Sequence, residues 1–289
     1  MTRPPVCGVV FAAGEGRRLR PLTLLRPKAL CPVGNVPLLD RALARMAALG
    51  LVGPDRVAVN ASYLAEQVVA HGEGRAHLSL EPDGPLGTAG GIGRLRDWIG
   101  GRGVLAGNAD AYLAPASRAS DRGPDAGLAE LLADWDGETV RLLGRPAKPG
   151  TPSEFGSYRF AGFSLLPWRL VRELRPEPSE LVRAVWRPAE AAGALTVVGY
   201  RGRYLDTGTP ADYLRANLYA VGSGPSLVAM DATVTGALDR AVVGAGATVE
   251  GSVTRGVVWP GGHVGRGERL VDAVRAGWDV TMPAGAPLA

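Results

Sequence analysis

The hydrophobic and polar positions of this 289-residue chain follow one pattern up to about residue 222 and another after it. In the first part, short apolar runs alternate with segments whose apolar residues recur every three or four positions. The runs predict buried strands, and the helically spaced segments predict helices that cover them. The predicted strands are Val6–Ala13, Arg56–Asn60, His77–Leu80, Val104–Ala106, Thr139–Leu143, Tyr158–Leu166 and Leu195–Tyr200. The predicted helices are Leu38–Leu49, Leu64–Ala70, Ser179–Ala192 and one that begins at Thr209.

Strands that alternate with helices are typical of an α/β domain. We therefore expect a Rossmann-like, three-layer fold in which a mainly parallel sheet lies between two layers of helices. Ligands of such sheets bind outside the carboxyl ends of the strands. Functional residues are expected in the loops that follow the predicted strands.

The pattern changes after the Gly-Ser-Gly-Pro-Ser linker at 222–226, where helical spacing disappears. Aliphatic residues then recur six positions apart, beginning with Val228 and Val234, and small residues fill the gaps. A six-residue period with glycine at the corners is typical of a β-helix, and we expect a short left-handed parallel β-helix. The period slips further along, so a Gly/Val-rich tail or a small sheet remains the alternative. Two domains are predicted, 1–222 and 227–289.

Composition narrows the class of partner. The net charge of +4 suits anionic small molecules, but the arginines are scattered and aromatics make up only 6% of residues, which argues against nucleic acid. No apolar run reaches the roughly 18 residues of a membrane span, and no signal-peptide pattern is evident. The two cysteines, Cys7 and Cys31, cannot define a disulfide framework. We expect a cytoplasmic protein with reduced thiols and no membrane partner.

The candidate chemistry is concentrated in the turn after the first predicted strand, which reads GEGRRLRP from Gly14 to Pro21. Glycines let a backbone approach an anion closely, and the N–H groups of a helix start point towards it. The P-loop pattern is absent, and so is the third glycine of a dinucleotide fingerprint, while basic residues stand where the helix would pack on the sheet. The arginines suit an anion with more charge than one pyrophosphate diester. A nucleoside triphosphate is such an anion.

Longer stretches resemble one family. The signature of the sugar-1-phosphate nucleotidyltransferases is similar to AAGEGRRLRPLTLLRPKALCPVGNVPLLD, and the likeness continues at PLGTAGGIGRL, NADAYL, AKP with FAGFSLLP, and YLDTGTPADYLRAN. It spans about residues 6–220, and the tail resembles the β-helix of mannose-1-phosphate guanylyltransferases and related members. The resemblance implies the family's nucleotide-sugar transferase fold. It also implies an enzyme that joins a nucleoside triphosphate to a sugar 1-phosphate and releases pyrophosphate.

The resemblance implies roles for four charged residues. Arg18 matches the arginine that grips the β- and γ-phosphates, and Lys28 matches the lysine that bridges the nucleotide α-phosphate and the sugar phosphate. Asp110 and Asp206 match two aspartates that hold Mg²⁺. This chain has Ala109 where most of the family has glycine before the first aspartate. Both basic residues are expected to be catalytic.

Further matched positions imply contacts with the substrates. The expected substrate-binding residues are Ala13, Gly14 and Gly16 for the phosphates, Gly87, Thr88 and Gly90 for the base and ribose, Lys148 for the sugar phosphate and Gly162 for the sugar pocket, with Glu81, just upstream of the glycine-rich segment, as the candidate base reader. A carboxylate at Glu81 can accept hydrogen bonds from N1–H and the exocyclic amine of guanine, which favours GTP. The family's glutamate before the matched lysine is Ala147 here, which leaves the sugar open.

Several functional alternatives remain at this point. GTP with mannose 1-phosphate is favoured, and uridylyl or thymidylyl transfer to glucose 1-phosphate or a cyclitol phosphate is the alternative. A non-catalytic subunit that binds nucleotide sugars is a second class. A β-helix acyltransferase that uses His263 as its base is a third, disfavoured because so few coils are predicted. We expect the β-helix to mediate contacts in a homo-oligomer instead.

Overall fold

A computed structural model of the chain describes residues 4–114, 126–148 and 150–285. Contacts between Cα atoms divide it into two compact units. The first contains Met1–Gly14 and Arg41–Tyr204, and the second contains Glu15–Asp40 and Leu205–Ala289. Within the described ranges, no helix combines the length and hydropathy of a membrane-spanning segment.

The chain contains many short strands and a smaller number of helices. The strands are β1 (Val6–Phe11), β2 (Pro32–Val33), β3 (Val36–Pro37), β4 (Val57–Ala61), β5 (His77–Leu80), β6 (Gly103–Asn108), β7 (Tyr112–Ala114), β8 (Val140–Pro146), β9 (Tyr158–Leu166), β10 (Leu195–Gly199), β11 (Arg203–Leu205), β12 (Leu227–Val228), β13 (Thr233–Val234), β14 (Ala237–Asp239), β15 (Val242–Val243), β16 (Thr248–Val249), β17 (Ser252–Thr254), β18 (Val257–Val258), β19 (His263–Val264), β20 (Arg269–Val271), β21 (Ala273–Ala276) and β22 (Val280–Pro283). The helices are α1 (Leu22–Leu25), α2 (Leu38–Ala48), α3 (Ala65–Gly72), α4 (Gly87–Arg94), α5 (Arg96–Ile99), α6 (Ala126–Leu132), α7 (Trp168–Val171), α8 (Arg187–Ala191) and α9 (Pro210–Val221). Two 3-10 turns lie at Arg17–Leu19 and Lys28–Leu30, and a π-helical turn lies at Val182–Trp186.

The first unit is built on a seven-stranded sheet in the order β10-β8-β9-β6-β1-β4-β5. Every strand predicted from the first part of the sequence is in this sheet. Neighbouring strands are parallel except at β9, which runs antiparallel to both β6 and β8. Strands covered on both faces read as continuous apolar runs, and all five residues of β4 are buried. The predicted α/β fold with a mainly parallel sheet is confirmed.

Two of the predicted helices have the expected signals, α2 at its end and α9 at its start, whereas the helix predicted at Ser179–Ala192 is a π-helical turn followed by α8. Helix α2 is followed by Gly50, which has a φ of +76° and donates its N–H to the Ala47 carbonyl. Helix α9 begins after Thr209, whose side chain accepts a hydrogen bond from the N–H of Asp212. Pro210 occupies the first helical position, where its missing N–H leaves no helical bond unmade.

One helix differs from the sequence expectation. The glycine-rich segment GTAGGIGR, where no helix is predicted from the sequence, forms α4. Glycine disfavours helix by about 1 kcal/mol relative to alanine, which is why local propensity predicts a loop. The residues from Ala89 to Gly93 are all buried, so packing against neighbouring segments outweighs this local preference.

The second unit ends in three parallel ladders of short strands, β12-β15-β18-β21, β13-β16-β19 and β14-β17-β20. Paired residues lie 15 positions apart in most of the ladders, as Leu227 with Val242, and 17 apart in the last step, as Ser252 with Arg269 and Val257 with Val274. Val228 and Val234 keep the six-residue spacing, but Leu238, at the centre of β14, follows after only four more positions. Each turn is therefore shorter than three full hexapeptides, which explains why the period slips along the sequence. The aliphatic side chains of the ladders form one buried core.

Candidate functional site

The carboxyl ends of β4, β1 and β6 meet at one edge of the central sheet. Phe11, the last residue of β1, is paired with Asn60 on one side and with Asn108 on the other. Polar residues therefore flank β1 at the level where it passes into the turn that contains Ala13 and Gly14. This is the edge at which parallel sheets bind their ligands.

The turn after β1 is open to solvent at its glycine. Ala13 is buried, whereas Gly14 is exposed and a Cβ added to it would meet no atom within 4 Å. Internal packing therefore does not require glycine at this position. The open space fits the expected approach of an anion to the backbone.

A buried hydrogen-bond network ties this turn to the loop before α4. Asn60 accepts from the N–H of Ala12 at 2.8 Å through its Oδ1 and donates through Nδ2 to Glu81 Oε1 at 2.7 Å. Glu81 Oε2 accepts from the N–H of Leu86 at 2.8 Å. Asn60 and Glu81 are each only 2% exposed. The two side chains therefore connect the turn at Ala12 with the start of the PLGTAGG segment.

The base-reading role predicted for Glu81 does not fit this placement. A base reader needs a carboxylate edge that a nucleobase can reach, whereas Glu81 is buried and both of its carboxylate oxygens already accept hydrogen bonds from the chain. The loop length and the burial of this residue could not be read from the sequence. The geometry assigns Glu81 to holding the loops instead.

The predicted base-and-ribose glycines, Gly87 and Gly90, lie on α4 and face segment 175–181. A Cβ at Gly87 would lie 2.5 Å from the Ser179 carbonyl oxygen, and one at Gly90 would overlap the Glu177 carbonyl. These glycines thus let α4 pack directly against backbone of the same unit. This packing accounts for both glycines without any ligand.

Thr88, the third predicted residue of this group, is engaged with the same segment. Its hydroxyl donates to Glu180 Oε2 at 2.6 Å, and its backbone N–H is 3.2 Å from the same oxygen. The hydroxyl also accepts from the N–H of Leu181 at 2.8 Å. The carboxylate of Glu180 therefore lies at the N-terminus of α4, where negative charge is favourable.

Asp110 and Gly162 are brought together in the first unit. Asp110 lies in the turn between β6 and β7, and the N–H of the preceding Ala109 donates to the Phe11 carbonyl at 3.1 Å. Gly162 in β9 has a φ of +85°, and a Cβ there would overlap that of Ala111. The turn with Asp110 is thus fixed between the end of β1 and the glycine of β9.

Lys148 lies in the turn after β8 with its side chain exposed. The Lys148 carbonyl accepts hydrogen bonds from Thr151, from the N–H at 3.0 Å and from the hydroxyl at 2.7 Å. These bonds close the turn. The charge of the lysine is accessible to an anionic ligand.

In the second unit, Gly16 and Lys28 are in close contact. Gly16 has a φ of +61°, and a Cβ added to it would lie 2.9 Å from both Lys28 Cβ and Thr23 Cγ2. The Thr23 hydroxyl donates to the Gly16 carbonyl at 3.0 Å. Only glycine meets both the left-handed backbone and the close approach. Gly16 therefore fixes the position from which the Lys28 side chain extends.

The second unit also brings Arg18 to Asp206. A Cβ added to Gly208 would lie 2.5 Å from Arg18 Nη2 and 3.0 Å from Asp206 Oδ1. The N–H of Gly208 donates to Asp206 Oδ1 at 2.8 Å and orients the carboxylate. A guanidinium and a carboxylate thus meet at one glycine, although the two residues are distant in sequence. Such a pair suits a phosphate group accompanied by a cation.

The other arginines of the opening turn have a local partner. Arg17 Nε lies 2.6 Å from Glu15 Oε2, and Arg20 Nη2 lies 3.4 Å from the same oxygen. The hydrogen bond from Arg17 lowers the pKa of Glu15 from its usual value. The Arg17 side chain is 74% exposed. Both arginines are thus engaged with a neighbouring carboxylate of the same turn.

A preformed metal centre of several ligands is absent from the residues that the structure describes, since no three His, Cys, Asp or Glu side chains come together as a metal site there. The two predicted aspartates still fit Mg²⁺ chemically. Mg²⁺ prefers oxygen ligands and is bound through one or two carboxylates together with water and substrate phosphates. The carboxylate of Asp206 beside Arg18 is a donor of this kind.

Sequence reasoning did not single out Asn60 or Glu180. Asn60 carries a usable signal, because it is a polar residue at the end of a predicted buried strand. Glu180 carries none, because its partner Thr88 is 92 positions away in sequence.

Comparison with known proteins gives one family and several relatives. The MobA-like NTP transferase domain matches residues 8–134. A mannose-1-phosphate guanylyltransferase of Mycobacterium tuberculosis is 30% identical over 253 residues, which cover 78% of this chain and 68% of that protein. An N-acetylmuramate alpha-1-phosphate uridylyltransferase of Neisseria meningitidis serogroup B is 37% identical over 108 residues, which cover 35% of this chain and 46% of that protein.

A solved structure shares the fold. A Bacillus anthracis protein described as a glucose-1-phosphate thymidylyltransferase, solved with a sucrose, superposes with a TM-score of 0.60 at 18% identity. The match covers 75% of this chain and 96% of that one.

Proposed function

This chain belongs to the family of sugar-1-phosphate nucleotidyltransferases, and we propose that it transfers a guanylyl group from GTP to mannose 1-phosphate. The products are GDP-mannose and pyrophosphate. The family membership rests on the likeness to the Mycobacterium tuberculosis relative, of which this chain covers more than two thirds. The choice of base and sugar is the part that experiment has to test.

One observation carries the proposed catalytic roles. Within a single unit, Arg18 and Asp206 meet at Gly208, and Lys28 packs against Gly16. These residues come from separate motifs of the sequence and lie in the same compact unit, which supports a shared role.

The reaction needs no protein nucleophile. An oxygen of the sugar 1-phosphate attacks the α-phosphorus of the triphosphate, and the bond to the leaving pyrophosphate breaks. The attacking phosphate is already an anion, so catalysis consists of positioning and neutralisation of charge. We propose that Arg18 stabilises the charge that develops on pyrophosphate. We propose that Lys28 holds the two anionic phosphates together.

We assign the binding of Mg²⁺ to Asp110 and Asp206. When bound, the ion neutralises phosphate charge and holds the triphosphate in one conformation. Lys148 and Gly162 are proposed for the sugar phosphate, and the open backbone at Gly14 for the triphosphate. The space beside Gly14 is open, so an anion can approach the backbone there without displacing a side chain.

The alternative is uridylyl or thymidylyl transfer to glucose 1-phosphate or another sugar phosphate. The Neisseria uridylyltransferase favours it, because its matched stretch is more similar to this chain in identity, although it is shorter. The placement of Glu81 also removes one reason to prefer guanine, since its carboxylate is already engaged. The longer match, to the Mycobacterium tuberculosis guanylyltransferase, supports guanylyl transfer.

The catalytic assignment is tested by Lys28→Ala in a pyrophosphate-release assay. We expect turnover to fall by about 10²–10³-fold, the usual effect of removing one group that stabilises transition-state charge. Arg17→Ala is the matched control, because it removes an exposed cation that is paired with Glu15. Near-parental turnover of the lysine variant would contradict the assignment. A folded parent protein that binds nucleotide sugars but releases no pyrophosphate would indicate the regulatory alternative.

We further propose that the short C-terminal strands form a left-handed parallel β-helix, while the domain boundary between 1–222 and 227–289 stays a prediction. The three parallel ladders support this, because strands of successive turns stack in register with a step of 15 or 17 residues. A crystal structure of the full chain tests the proposal. A right-handed coil or a flat sheet would overturn it.

A further inference from the structure

Two aromatic residues of the second unit form a hydrogen-bonded pair that the proposed catalytic roles leave unexplained. Trp259, in the turn after β18, donates through Nε1 to the hydroxyl of Tyr213 in α9 at 3.0 Å. That hydroxyl donates in turn to the carbonyl oxygen of Pro32. Tyr213 is 0% and Trp259 3% exposed. Burial raises the pKa of Tyr213 well above its usual value, so the hydroxyl keeps its proton and remains a donor.

The residues that contact this pair, Pro32 and Arg26, lie on either side of the turn that carries Lys28. Pro32 follows the 3-10 turn Lys28–Leu30, and Arg26 precedes it. The Arg26 guanidinium lies over the Trp259 ring, 5.3 Å from its centre, within the range of a cation–π interaction. Trp259 therefore contacts one side of the turn directly and the other side through Tyr213.

Trp259 is itself anchored in the C-terminal ladders. Its N–H donates to the Arg275 carbonyl in β21 at 2.8 Å, and its carbonyl accepts from the N–H of Gly262 at 2.8 Å. A second link runs in parallel, because Asn35 donates through Nδ2 to the Val243 carbonyl in β15 at 2.8 Å. The strands at the end of the chain thus hold the segment that includes Lys28.

Any displacement of this turn reaches the proposed catalytic residues. The Cβ of Lys28 packs against Gly16, which begins the 3-10 turn that contains Arg18. Proximity effects in catalysis are steep, and a misplacement of about 1 Å far from the chemistry can cost about 10²-fold in rate.

We infer that Trp259 is a positioning residue for nucleotidyl transfer. Through Tyr213 and Arg26 it fixes the turn that carries Lys28, so turnover depends on the C-terminal strands as well as on the nucleotidyltransferase fold. This inference rests on the proposed role of Lys28. The experiment therefore needs one measurement that uses no substrate.

The activity measurement compares Trp259→Phe with Trp135→Phe in the full-length chain. Both substitutions keep a buried aromatic ring and remove one indole hydrogen bond, since Trp135 Nε1 donates to the Thr139 carbonyl at 2.8 Å in the first unit. Trp259→Phe is expected to lower kcat by about tenfold with KM for the triphosphate within about twofold, because ground-state binding is kept while positioning is lost. Trp135→Phe is expected to leave kcat within about twofold of the parent.

The substrate-free measurement is the rate at which the two thiols react with a maleimide, resolved by peptide mass spectrometry. Cys31 directly follows the Lys28–Leu30 turn and Cys7 lies in β1 of the other unit, and both are 0% exposed. Burial raises the pKa of Cys31 to about 12 and that of Cys7 to about 11, so labelling requires local opening. We expect Trp259→Phe to label Cys31 at least about fivefold faster than the parent with Cys7 unchanged, and Trp135→Phe to leave Cys31 at the parental rate.

Tyr213→Phe and the double variant complete the test. If the hydrogen bonds act as one chain, the double variant loses no more kcat than Tyr213→Phe alone, since the link is already broken. Three results would overturn the inference: unchanged Cys31 labelling in Trp259→Phe, faster labelling with unchanged kcat, or equal loss of kcat in Trp259→Phe and Trp135→Phe. A parent protein without activity would contradict the proposed function alone, and the labelling rates would still decide whether Trp259 holds the turn.

Discussion

At the scale of single residues, burial separates side chains that can meet a ligand from side chains that hold the chain in place. Glu81 is a carboxylate beside a glycine-rich segment, and sequence alone makes it a candidate for reading the base. In the structure it is buried and joins Asn60 to the N–H of Leu86. Gly14 shows the opposite case, because nothing in the fold occupies the space beside it.

Glu81→Gln distinguishes holding from base reading. Glutamine can accept only one of the two hydrogen bonds that Glu81 accepts. Its NH₂ group would then face the second donor, which loses its acceptor. We expect a loss of about 1–3 kcal/mol in the free energy of unfolding and an equal relative loss of kcat/KM for GTP, UTP, ATP and dTTP. Glu66→Gln, at an exposed position of α3, is the control and should change neither. A changed preference among the four triphosphates would show that Glu81 reads the base after all.

Alanine substitutions at Gly14 and Gly16 separate ligand approach from internal packing. Gly16→Ala combines a φ of +61° with contacts of 2.9 Å and should lower the unfolding free energy by about 1–3 kcal/mol. Gly14→Ala has free space and should unfold like the parent, yet its methyl group would obstruct a triphosphate and raise KM for it. Urea unfolding and steady-state kinetics measure both effects. Parental kinetics for Gly14→Ala would contradict the proposed phosphate contact.

At the scale of elements, the glycines of α4 are explained by a neighbouring segment. Gly87, Gly90 and Gly93 recur every third residue and face the carbonyls of residues 179, 177 and 175 in antiparallel order. One face of the helix therefore lies directly on the backbone of this segment. The glycine pattern that resembles a nucleotide loop also serves this contact within the chain.

Gly93→Ala tests this contact away from the proposed substrate residues. On an exposed helix the change would add about 1 kcal/mol of stability. Here the new Cβ would overlap the Arg175 backbone, so we expect a net loss of about 1–3 kcal/mol in urea unfolding. Arg94→Ala, at the next and exposed position of the helix, should stay within about 0.5 kcal/mol of the parent. A stabilised Gly93→Ala would show that segment 175–181 moves away easily.

The elements that could be predicted from sequence are those whose signal is local. The strands of the central sheet and α2 follow from apolar spacing and from Gly50. Helix α4 could not be predicted, because its stability comes from a segment about 90 positions away and opposes the propensity of glycine. The same limit applies to the site. Arg18 and Asp206 follow from motifs, whereas the bond from Trp259 to Tyr213 spans 46 positions without any sequence signal.

At the scale of the whole molecule, the end of the chain is part of the unit that holds the opening signature. Glu15–Asp40 and Leu205–Ala289 form one compact unit, so the C-terminal strands share it with Arg18 and Lys28. A tail that served assembly alone would not need the hydrogen bond from Asn35 to Val243. Assembly and support of the Lys28 turn are compatible, because they use different strands of the ladders. The open edges belong to β12, β13 and β14, whereas the contacts come from β15 and from Trp259 after β18.

The first turn of the ladders predicts the oligomeric state. In the part of the chain that the structure describes, β12, β13 and β14 each pair on one side only. Val234 is partly exposed there, whereas Val249, one turn further on, is 0% exposed. Open strand edges beside partly exposed aliphatic residues favour association with a second copy. Light scattering coupled to size-exclusion chromatography should give at least twice the mass of one chain, and the mass of a single chain at every concentration tested would contradict this.

The most direct test of the proposed function is pyrophosphate release by the purified full chain, measured with Mg²⁺ for GTP, UTP, ATP and dTTP against a panel of sugar 1-phosphates. We predict the highest kcat/KM for GTP with mannose 1-phosphate and a loss of about 10²–10³-fold in Lys28→Ala. If another pair of triphosphate and sugar 1-phosphate has the highest kcat/KM, the proposed base or sugar is wrong, but the proposed reaction class stands. Absence of pyrophosphate with every pair, from a folded protein, would contradict nucleotidyl transfer itself.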